Sequence, residues 1–202
     1  MDVPEHEKLT IKDFFDAIAG VEGRYELVGG VAYAMTGAKE AHNIICSNVQ
    51  TVLVPAGKQK GWRTTSSNTA VQTGPTTIRY PDVVVDCGPP NAAAMTASKP
   101  TIIVEVSSPD TAVFEHCSKL REYQDVESVD TVMQIESGIA LVKIHRRQED
   151  VTWTEETFEE FEVAIPLPSL GTSITLNEIY DTLEVRPRAR LKVFRIDHSH
   201  RF

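Results

Sequence analysis

Two short apolar segments that contain acidic residues constrain the fold of this chain more than any other feature of the sequence. Residues 82–86 read DVVVD, and residues 101–107 read TIIVEVS. Runs rich in Val and Ile are typical of strands that are buried in a sheet. A lone carboxylate is too costly to bury unless it is paired, hydrogen-bonded or bound to a metal ion. We predict that residues 78–87 and 101–107 are neighbouring strands in one central sheet, so that Asp82 and Glu105 can point into one cleft.

A divalent cation is the ligand that such a pair of carboxylates favours. Strand alternation places Glu105 on the face opposite Val104 and Val106. Mg²⁺ prefers one or two carboxylates, a carbonyl and several waters in an octahedron. Each acid also has a simpler interpretation, since Asp82 could be a turn residue after Pro81 and Glu105 could face solvent on a half-exposed strand.

Capping signals and apolar periodicity predict four helices around these strands. Thr10 and Asp13 form the beginning of a capping box, and apolar residues recur at helical spacing in the second helix. The predicted helices run from Thr10 to Gly20, over residues 38–54 with Pro55 and Gly57 closing the helix, from Pro109 to about Gln124, and from Thr175 to about Leu183.

Strands occupy much of the remaining sequence. Gly29-Gly30 is a two-residue hairpin signal between two β-rich runs within residues 25–35. The other predicted strands cover residues 61–73, 78–87, 101–107, 131–136, 139–146, 150–155 and 158–163. This order of helices and strands predicts an α/β or α+β domain.

Length and composition favour one ordinary domain. The chain has 202 residues, of which 41% are hydrophobic, enough for a substantial core. Because no run approaches the roughly 18 apolar residues of a membrane span, we expect no membrane association. Three cysteines without a CxxC pair, after an acidic and polar N-terminus, favour reduced thiols in a cytoplasm. We expect these cysteines to be core or incidental residues.

Charge divides the chain into an acidic body and a basic tail. Residues 186–202 carry six Lys or Arg and one Asp, whereas the other 185 residues carry 14 basic and 28 acidic groups. We therefore predict a domain over residues 1–185 and a basic C-terminal tail over residues 186–202. An acidic body argues against a sequence-blind coat on nucleic acid, but a bound cation can invert the charge of one site.

Several short segments, in a fixed order from about residue 9 to 185, resemble one known family. They are Tyr25-Glu26-Leu27-Val28, His42, Pro81-Asp82-Val83-Val84-Val85, the segment from Val104 to Ala112, then Lys119 and Tyr123, and the closing LPSLGTSITLNEIYD. The sequence is similar to the Uma-two family of endonucleases, within the PD-(D/E)xK restriction-endonuclease-like superfamily.

This resemblance implies a fold and a set of functional residues. The implied fold is an α/β (α+β) domain with a restriction-endonuclease-like central mixed β-sheet flanked by helices. Asp82 and Glu105 would bind Mg²⁺ or Mn²⁺, with the Val106 carbonyl as a third ligand. Lys119 would assist catalysis, and Glu26 would match the acid near the first helix of the superfamily pattern.

The sequence departs from the superfamily pattern at two places. The usual lysine position, two residues after the Glu, is Ser107, and the hairpin reads Gly29-Gly30-Val31 where the family usually has Asp-Gly-Glu. Three residues also have simpler interpretations: Lys119 as a surface partner of Glu115, Glu26 as a partner of Arg24, and His42 as a structural or exposed side chain.

Three functions are compatible with these residues. The first is a metal-dependent endonuclease that hydrolyses DNA phosphodiester bonds, for which we expect a homodimer because cutting both strands takes two sites or two encounters. The second is a catalytically weak or inactive nuclease-fold scaffold that acts in binding or assembly. The third is a metal-dependent hydrolase of a small phosphate ester. Fold resemblance does not distinguish among them.

Overall fold

Four α-helices are present in the described part of the chain. The computed structural model describes residues 8–107 and 113–187, except for the side chains of residues 113–117. The helices are α1 (Ile11–Ile18), α2 (Glu40–Gln59), α3 (Val113–Asp125) and α4 (Leu176–Ile179). Both predicted capping boxes form, at Thr10 with Asp13 and at Thr175 with Glu178.

A six-stranded mixed sheet forms the centre of the structure. Its order is β11 (Trp153–Phe158), β10 (Val142–Arg147), β8 (Thr131–Glu136), β7 (Pro100–Ser107), β6 (Val83–Asp86) and β3 (Arg63–Ser66). Strands β7 and β8 are parallel, and the other neighbours are antiparallel. The predicted mixed sheet flanked by helices is confirmed.

The two acid-bearing strands are neighbours, as the sequence predicts. Strand β6 pairs with β7 so that Val83 lies opposite Val104 and Val84 opposite Ile103. Because side chains alternate, β7 serves two cores. Ile102, Val104 and Val106 pack with α2 in the larger core, whereas Ile103 packs in a second core with Tyr123 of α3. Glu105 therefore shares the α3 side of the sheet with Ile103.

A second sheet lies beside the central one and contacts α1. Its order is β2 (Val31–Ala34), β1 (Tyr25–Val28), β5 (Thr77–Arg79) and β4 (Val71–Gly74). Leu27, Ile78 and Phe14 of α1 are fully buried in its core. The remaining strands form two small pairs: β12 (Ala164–Leu167) with β13 (Thr172–Thr175), and β9 (Ile139–Ala140) with β14 (Arg186–Pro187).

The second helix is longer than its sequence signals suggest. Pro55 lies inside α2, which continues to Gln59. A proline within a helix removes one hydrogen bond and costs about 3 kcal/mol. The extra turn buries Ala56 in the larger core, and this packing offsets the missing bond. The predicted end at Pro55 was therefore wrong.

Two long predicted strands are each divided into two. Residues 61–73 contain β3 and β4, separated by a turn at Ser67-Asn68. Residues 78–87 contain most of β5 and all of β6, which belong to different sheets. The segment Tyr80–Asp82 carries the chain from one sheet to the other. Asp82 thus lies just before strand β6 of the central sheet, at the junction of the two sheets.

The C-terminal third also differs from the prediction in strand positions. Strand β11 begins at Trp153 because Asp150 accepts hydrogen bonds from Thr152 and fixes a turn, with Val151 at φ 63°. The predicted strand at 158–163 was wrong, and the next strand is β12. The predicted start of α3 at Pro109, and residues 188–202 of the predicted tail, lie outside the described residues.

None of the helices within residues 8–107 and 113–187 is both long enough and apolar enough to cross a membrane.

The β1–β2 hairpin provides a matched test of backbone strain. Gly29 and Gly30 have φ values of 57° and 85°, which disfavour residues with a Cβ. A Cβ on Gly29 would meet no atom within 4 Å, whereas one on Gly30 would lie 2.7 Å from Lys8 Cβ and 3.3 Å from the Leu9 carbonyl oxygen.

We predict that Gly30→Ala destabilises the protein more than Gly29→Ala. The left-handed conformation should cost each variant about 1–2 kcal/mol, and the clash adds to that cost only at Gly30. Urea denaturation followed by circular dichroism measures the difference. Equal losses in the two variants would contradict the proposed role of the packing beneath Gly30.

Candidate active site

Asp82 connects strand β7 of the central sheet to the start of α2. One carboxylate oxygen, Oδ2, accepts a hydrogen bond from the backbone N–H of Val106 at 2.8 Å. The other, Oδ1, lies 3.0 Å from Nε2 of His42, in the first turn of α2. This contact raises the pKa of His42 above its ordinary value, although burial opposes the charged form. The simpler interpretation of Asp82 as a turn residue does not account for these long-range bonds.

Glu105 is a nearly buried carboxylate that faces α3. Only 12% of its side chain is exposed, and the Tyr123 hydroxyl donates a hydrogen bond to its Oε1 at 2.5 Å. Burial raises the pKa of Glu105 to about 7; Lys119 opposes this rise and the nearby Asp82 adds to it. The alternative of a solvent-facing Glu105 is therefore wrong.

Lys119 reaches this carboxylate from α3. Its Nζ lies 2.9 Å from Glu26 Oε1 and 3.9 Å from Glu105 Oε1. Lys119 and Tyr123 are four residues apart, so both lie on the helix face that meets β7. Burial opposes the ammonium charge, but Glu105 and Glu26 outweigh it and raise the pKa of Lys119. The side chain is 13% exposed, which is not the environment of a surface lysine; the side chain of Glu115 lies outside the described residues.

Arg79 connects Glu26 to a further acid on α3. Arg79 donates to Glu26 Oε2 at 2.8 Å and forms two bonds with Glu122, each of 2.7 Å. Glu26 and Arg79 are each 5% exposed. Arg24 instead donates to the Ser67 carbonyl. The alternative in which Glu26 pairs with Arg24 is therefore wrong, and the arginine partner of Glu26 is Arg79.

The sequence interpretation missed Arg79 and Glu122 as part of this site. The sequence position of each residue does offer a signal that could have indicated it. Arg79 is a charged residue next to Ile78 in a short strand that immediately precedes Tyr80-Pro81-Asp82, and Glu122 lies three residues after Lys119 on the same helix. Neither signal identifies the partner across the fold.

One cavity of about 530 Å³ joins these groups. The five predicted site residues all line it, namely Glu26, Asp82, Glu105, Val106 and Lys119. His42 and Arg79, which was not predicted, line it as well. The predicted site residues thus come from β1, the β5–β6 junction, β7 and α3, and the fold brings them all to the same opening. Apolar side chains from β2, including Tyr33 and Ala34, form part of the wall.

The donor atoms in this cavity fit a hard divalent cation. Asp82 and Glu105 offer carboxylate oxygens, the type of ligand that Mg²⁺ and Mn²⁺ prefer. Asp82 raises the pKa of Glu105, so the two carboxylates are close enough to repel each other. A cation between them would relieve this repulsion.

Comparison with known proteins identifies the family of this chain. The sequence matches the family Uma2, described as "Putative restriction endonuclease", over residues 11–177. The chain belongs to this family. The resemblance inferred from the sequence motifs is therefore confirmed.

Two other proteins are similar to this chain. "Uncharacterized protein slr1290" of Synechocystis sp. (strain ATCC 27184 / PCC 6803 / Kazusa) is 23% identical over 175 residues, which cover 86% of this chain and 92% of that protein. A crystal structure described as a putative nuclease belonging to DUF820, from Anabaena variabilis ATCC 29413, aligns with a TM-score of 0.67 at 18% identity. The alignment covers 85% of this chain and 97% of that one, and it shows that the fold is shared.

We predict that Glu105→Gln stabilises the metal-free protein at high pH but not at low pH. The pKa of Glu105 is about 7 in the folded state, against an ordinary value of 4.5. Between these two pH values the Glu105 carboxyl stays protonated in the folded state but is ionised in the unfolded state. Wild-type stability should fall as pH rises from about 4.5 to 7, whereas the neutral amide avoids this loss. We expect an advantage on the order of 2 kcal/mol near pH 8.

Urea denaturation in chelator at several pH values measures this difference. The exposed Glu184→Gln serves as the matched control and should follow wild type throughout. A Glu105→Gln advantage that is the same at pH 4 and pH 8 would show that burial of the charge is not its cause.

We further predict that Arg79→Met strongly destabilises the fold. The change leaves Glu26 and Glu122 without their shared guanidinium, and breaking a buried pair in this way costs about 3–5 kcal/mol. Arg24→Met, which removes an exposed guanidinium, should cost less than about 1 kcal/mol. Chemical denaturation of both variants compares them, and similar losses would contradict the importance of the buried network.

Proposed function

We propose that this protein is a Mg²⁺- or Mn²⁺-dependent endodeoxyribonuclease that hydrolyses DNA phosphodiester bonds. The observation that carries the proposal is the arrangement of Asp82, Glu105 and Lys119 around one cavity. The superfamily lysine position is occupied by Ser107, and the ammonium comes from α3 instead. Membership of the family described as "Putative restriction endonuclease" supports the nuclease class.

The cation would be held by Asp82, Glu105 and the backbone carbonyl of Val106. It would supply Lewis acidity toward a phosphate oxygen and toward water. Val106 is well placed for this role because its N–H already holds Asp82 in position. His42 orients the second oxygen of the same carboxylate.

Lys119 would stabilise the negative charge that develops on the phosphate. Its ammonium lines the cavity and lies 3.9 Å from the Glu105 carboxylate. Glu26 fixes the ammonium through a bond of 2.9 Å and would act as a positioning residue. Preorganised charge of this kind costs no rearrangement during the reaction.

The assembly and location of the enzyme follow from the proposed substrate. A subunit with one such site needs a second subunit or a second encounter to cut both DNA strands, so we propose a homodimer. A cytoplasmic location is part of the same proposal, because DNA and reduced thiols occur together there.

A catalytically weak scaffold is the second candidate, and two observations favour it. Lys119 is already bonded to Glu26 at 2.9 Å, which reduces the charge it can offer to a phosphate. The hairpin residues Gly29-Gly30-Val31 also lack the usual family acids. Such a protein would bind the cation and DNA without cutting.

A cation titration against four substrates separates the candidates. Plasmid DNA, single-stranded DNA, RNA and a generic phosphodiester are incubated with Mg²⁺ or Mn²⁺, and calorimetry measures cation binding to the same preparation. The proposal expects DNA cleavage that Asp82→Ala and Glu105→Ala abolish together with cation binding. Cation binding without cleavage of any substrate would favour the scaffold, and cleavage of the generic ester alone would favour a small-molecule hydrolase.

We predict that Lys119→Ala lowers the cleavage rate by about 10²–10³-fold, the scale for losing one preorganised charge-stabilising group. Cation affinity should remain nearly unchanged, because Lys119 offers no ligand to a cation. Lys119→Arg should restore only part of the rate, since a planar guanidinium does not replace a compact ammonium.

Single-turnover kinetics at saturating Mn²⁺ provide the measurement. Lys143→Ala, which removes a half-exposed lysine paired with Glu155, is the matched control and should cleave at the wild-type rate. Unchanged kinetics in Lys119→Ala would remove this lysine from the reaction.

A further inference from the structure

Three side chains next to the cavity bring together nitrogen, sulfur and oxygen ligand atoms. His42 and Cys46 are four residues apart on one face of α2, and Asp82 approaches them from the β5–β6 junction. One ligand atom of each residue lies within 4.8 Å of those of the other two. Among the described residues, these three are the group of at least three His, Cys, Asp or Glu side chains whose ligand atoms lie this close together.

We propose that His42, Cys46 and Asp82 form a second cation site, which takes a thiophilic divalent cation such as Zn²⁺ or Co²⁺. We also infer that this site shares Asp82 with the site of Asp82 and Glu105, so that the two cations exclude each other. The second part rests on the cation site in the proposed function; the first part does not.

The ligand types distinguish the two sites. Thiolate and imidazole ligands favour Zn²⁺ over Mg²⁺, which takes oxygen ligands almost exclusively. Cys46 and His42 provide the softer ligands on the α2 side of Asp82, whereas Glu105 provides a hard oxygen on the α3 side of the sheet. The same carboxylate therefore stands between two environments with opposite preferences.

The distances require only small movements. Zn–N and Zn–O bonds of about 2.0–2.1 Å and a Zn–S bond of about 2.3 Å place tetrahedral ligand atoms roughly 3.3–3.6 Å apart. His42 Nε2 and Asp82 Oδ1 are now 3.0 Å apart, so they would separate slightly. The sulfur lies within 4.8 Å of both, and a change of about 1 Å in the Cys46 side chain brings it to bonding distance.

The surroundings support three ligands and one open position. The Val106 N–H holds Asp82 Oδ2, and partners of this kind fix the orientation of a ligand and strengthen metal sites. His42 and Asp82 both line the cavity, so water or a substrate oxygen can reach the fourth position. Cys46 is a free thiol of intermediate burial, and coordination would release its proton to solvent.

Co²⁺ spectroscopy on the full-length protein tests the first part without any measurement of activity. Chelator-treated protein is titrated with Co²⁺, and a thiolate-to-cobalt charge-transfer band is expected at one equivalent. Stoichiometric Zn²⁺ should abolish the band. Cys46→Ser should lose it, and His42→Ala should bind Co²⁺ at least about 10-fold more weakly.

The other cysteines provide matched controls. Cys87→Ser and Cys117→Ser should keep the band, and thermal unfolding in chelator verifies that every variant is folded. A band that survives in Cys46→Ser, or the absence of a band in folded wild type, would overturn the proposed thiophilic site. Failure of the DNA cleavage assay would leave this result unchanged, so the two proposals fail separately.

Competition with Mg²⁺ tests the sharing of Asp82. Excess Mg²⁺ should weaken the apparent Co²⁺ affinity of wild type, and Glu105→Gln should remove most of this effect while it keeps the charge-transfer band. A Cys46-dependent band whose Co²⁺ affinity does not change with Mg²⁺ would overturn the shared carboxylate and leave two independent sites.

Discussion

The buried carboxylate of Glu105 is the constraint on which the arrangement of the site depends. A charge with 12% of its surface exposed is stable only if nearby groups compensate for lost hydration. Tyr123 and Lys119 provide part of that compensation from α3. The lysine in turn needs Glu26, and Glu26 needs Arg79. The buried acid is thus part of a series of alternating negative and positive side chains. Each charge in the series is stabilised by its oppositely charged neighbour.

This chain of charges also ties the separate parts of the fold together. Glu26 and Arg79 belong to the second sheet, Lys119 and Glu122 to α3, and Glu105 to the central sheet. In the part of the chain that the structure describes, apolar packing is divided among three clusters. The ion pairs connect elements that belong to different clusters. Breaking such a pair is far more costly than losing a surface salt bridge. The same bonds that orient the cavity side chains therefore fix the second sheet against α3.

Asp82 connects this charged region to α2. Its two oxygens hold the Val106 N–H and face His42, so the carboxylate is oriented before any ligand arrives. Preorganisation of this kind is what a cation site requires. It also places one acid between a pair of softer ligands on α2 and a hard oxygen from β7. Under the proposed function, the chemistry of the cavity would depend on which neighbour of Asp82 shares a cation with it.

The sequence by itself indicated the two buried strands near Asp82 and Glu105 and the position of Glu105 opposite Val104 and Val106, because apolar runs and strand alternation are local properties. It also indicated Lys119 through family resemblance, but not its distance from Glu105, which depends on how α3 crosses the sheet. Only the tertiary structure decided that Arg79 joins Glu26 to α3, since a charged residue in a strand does not reveal its distant partner. The continuation of α2 through Pro55 was likewise decided by packing, because burial of the last turn outweighs the local cost of proline.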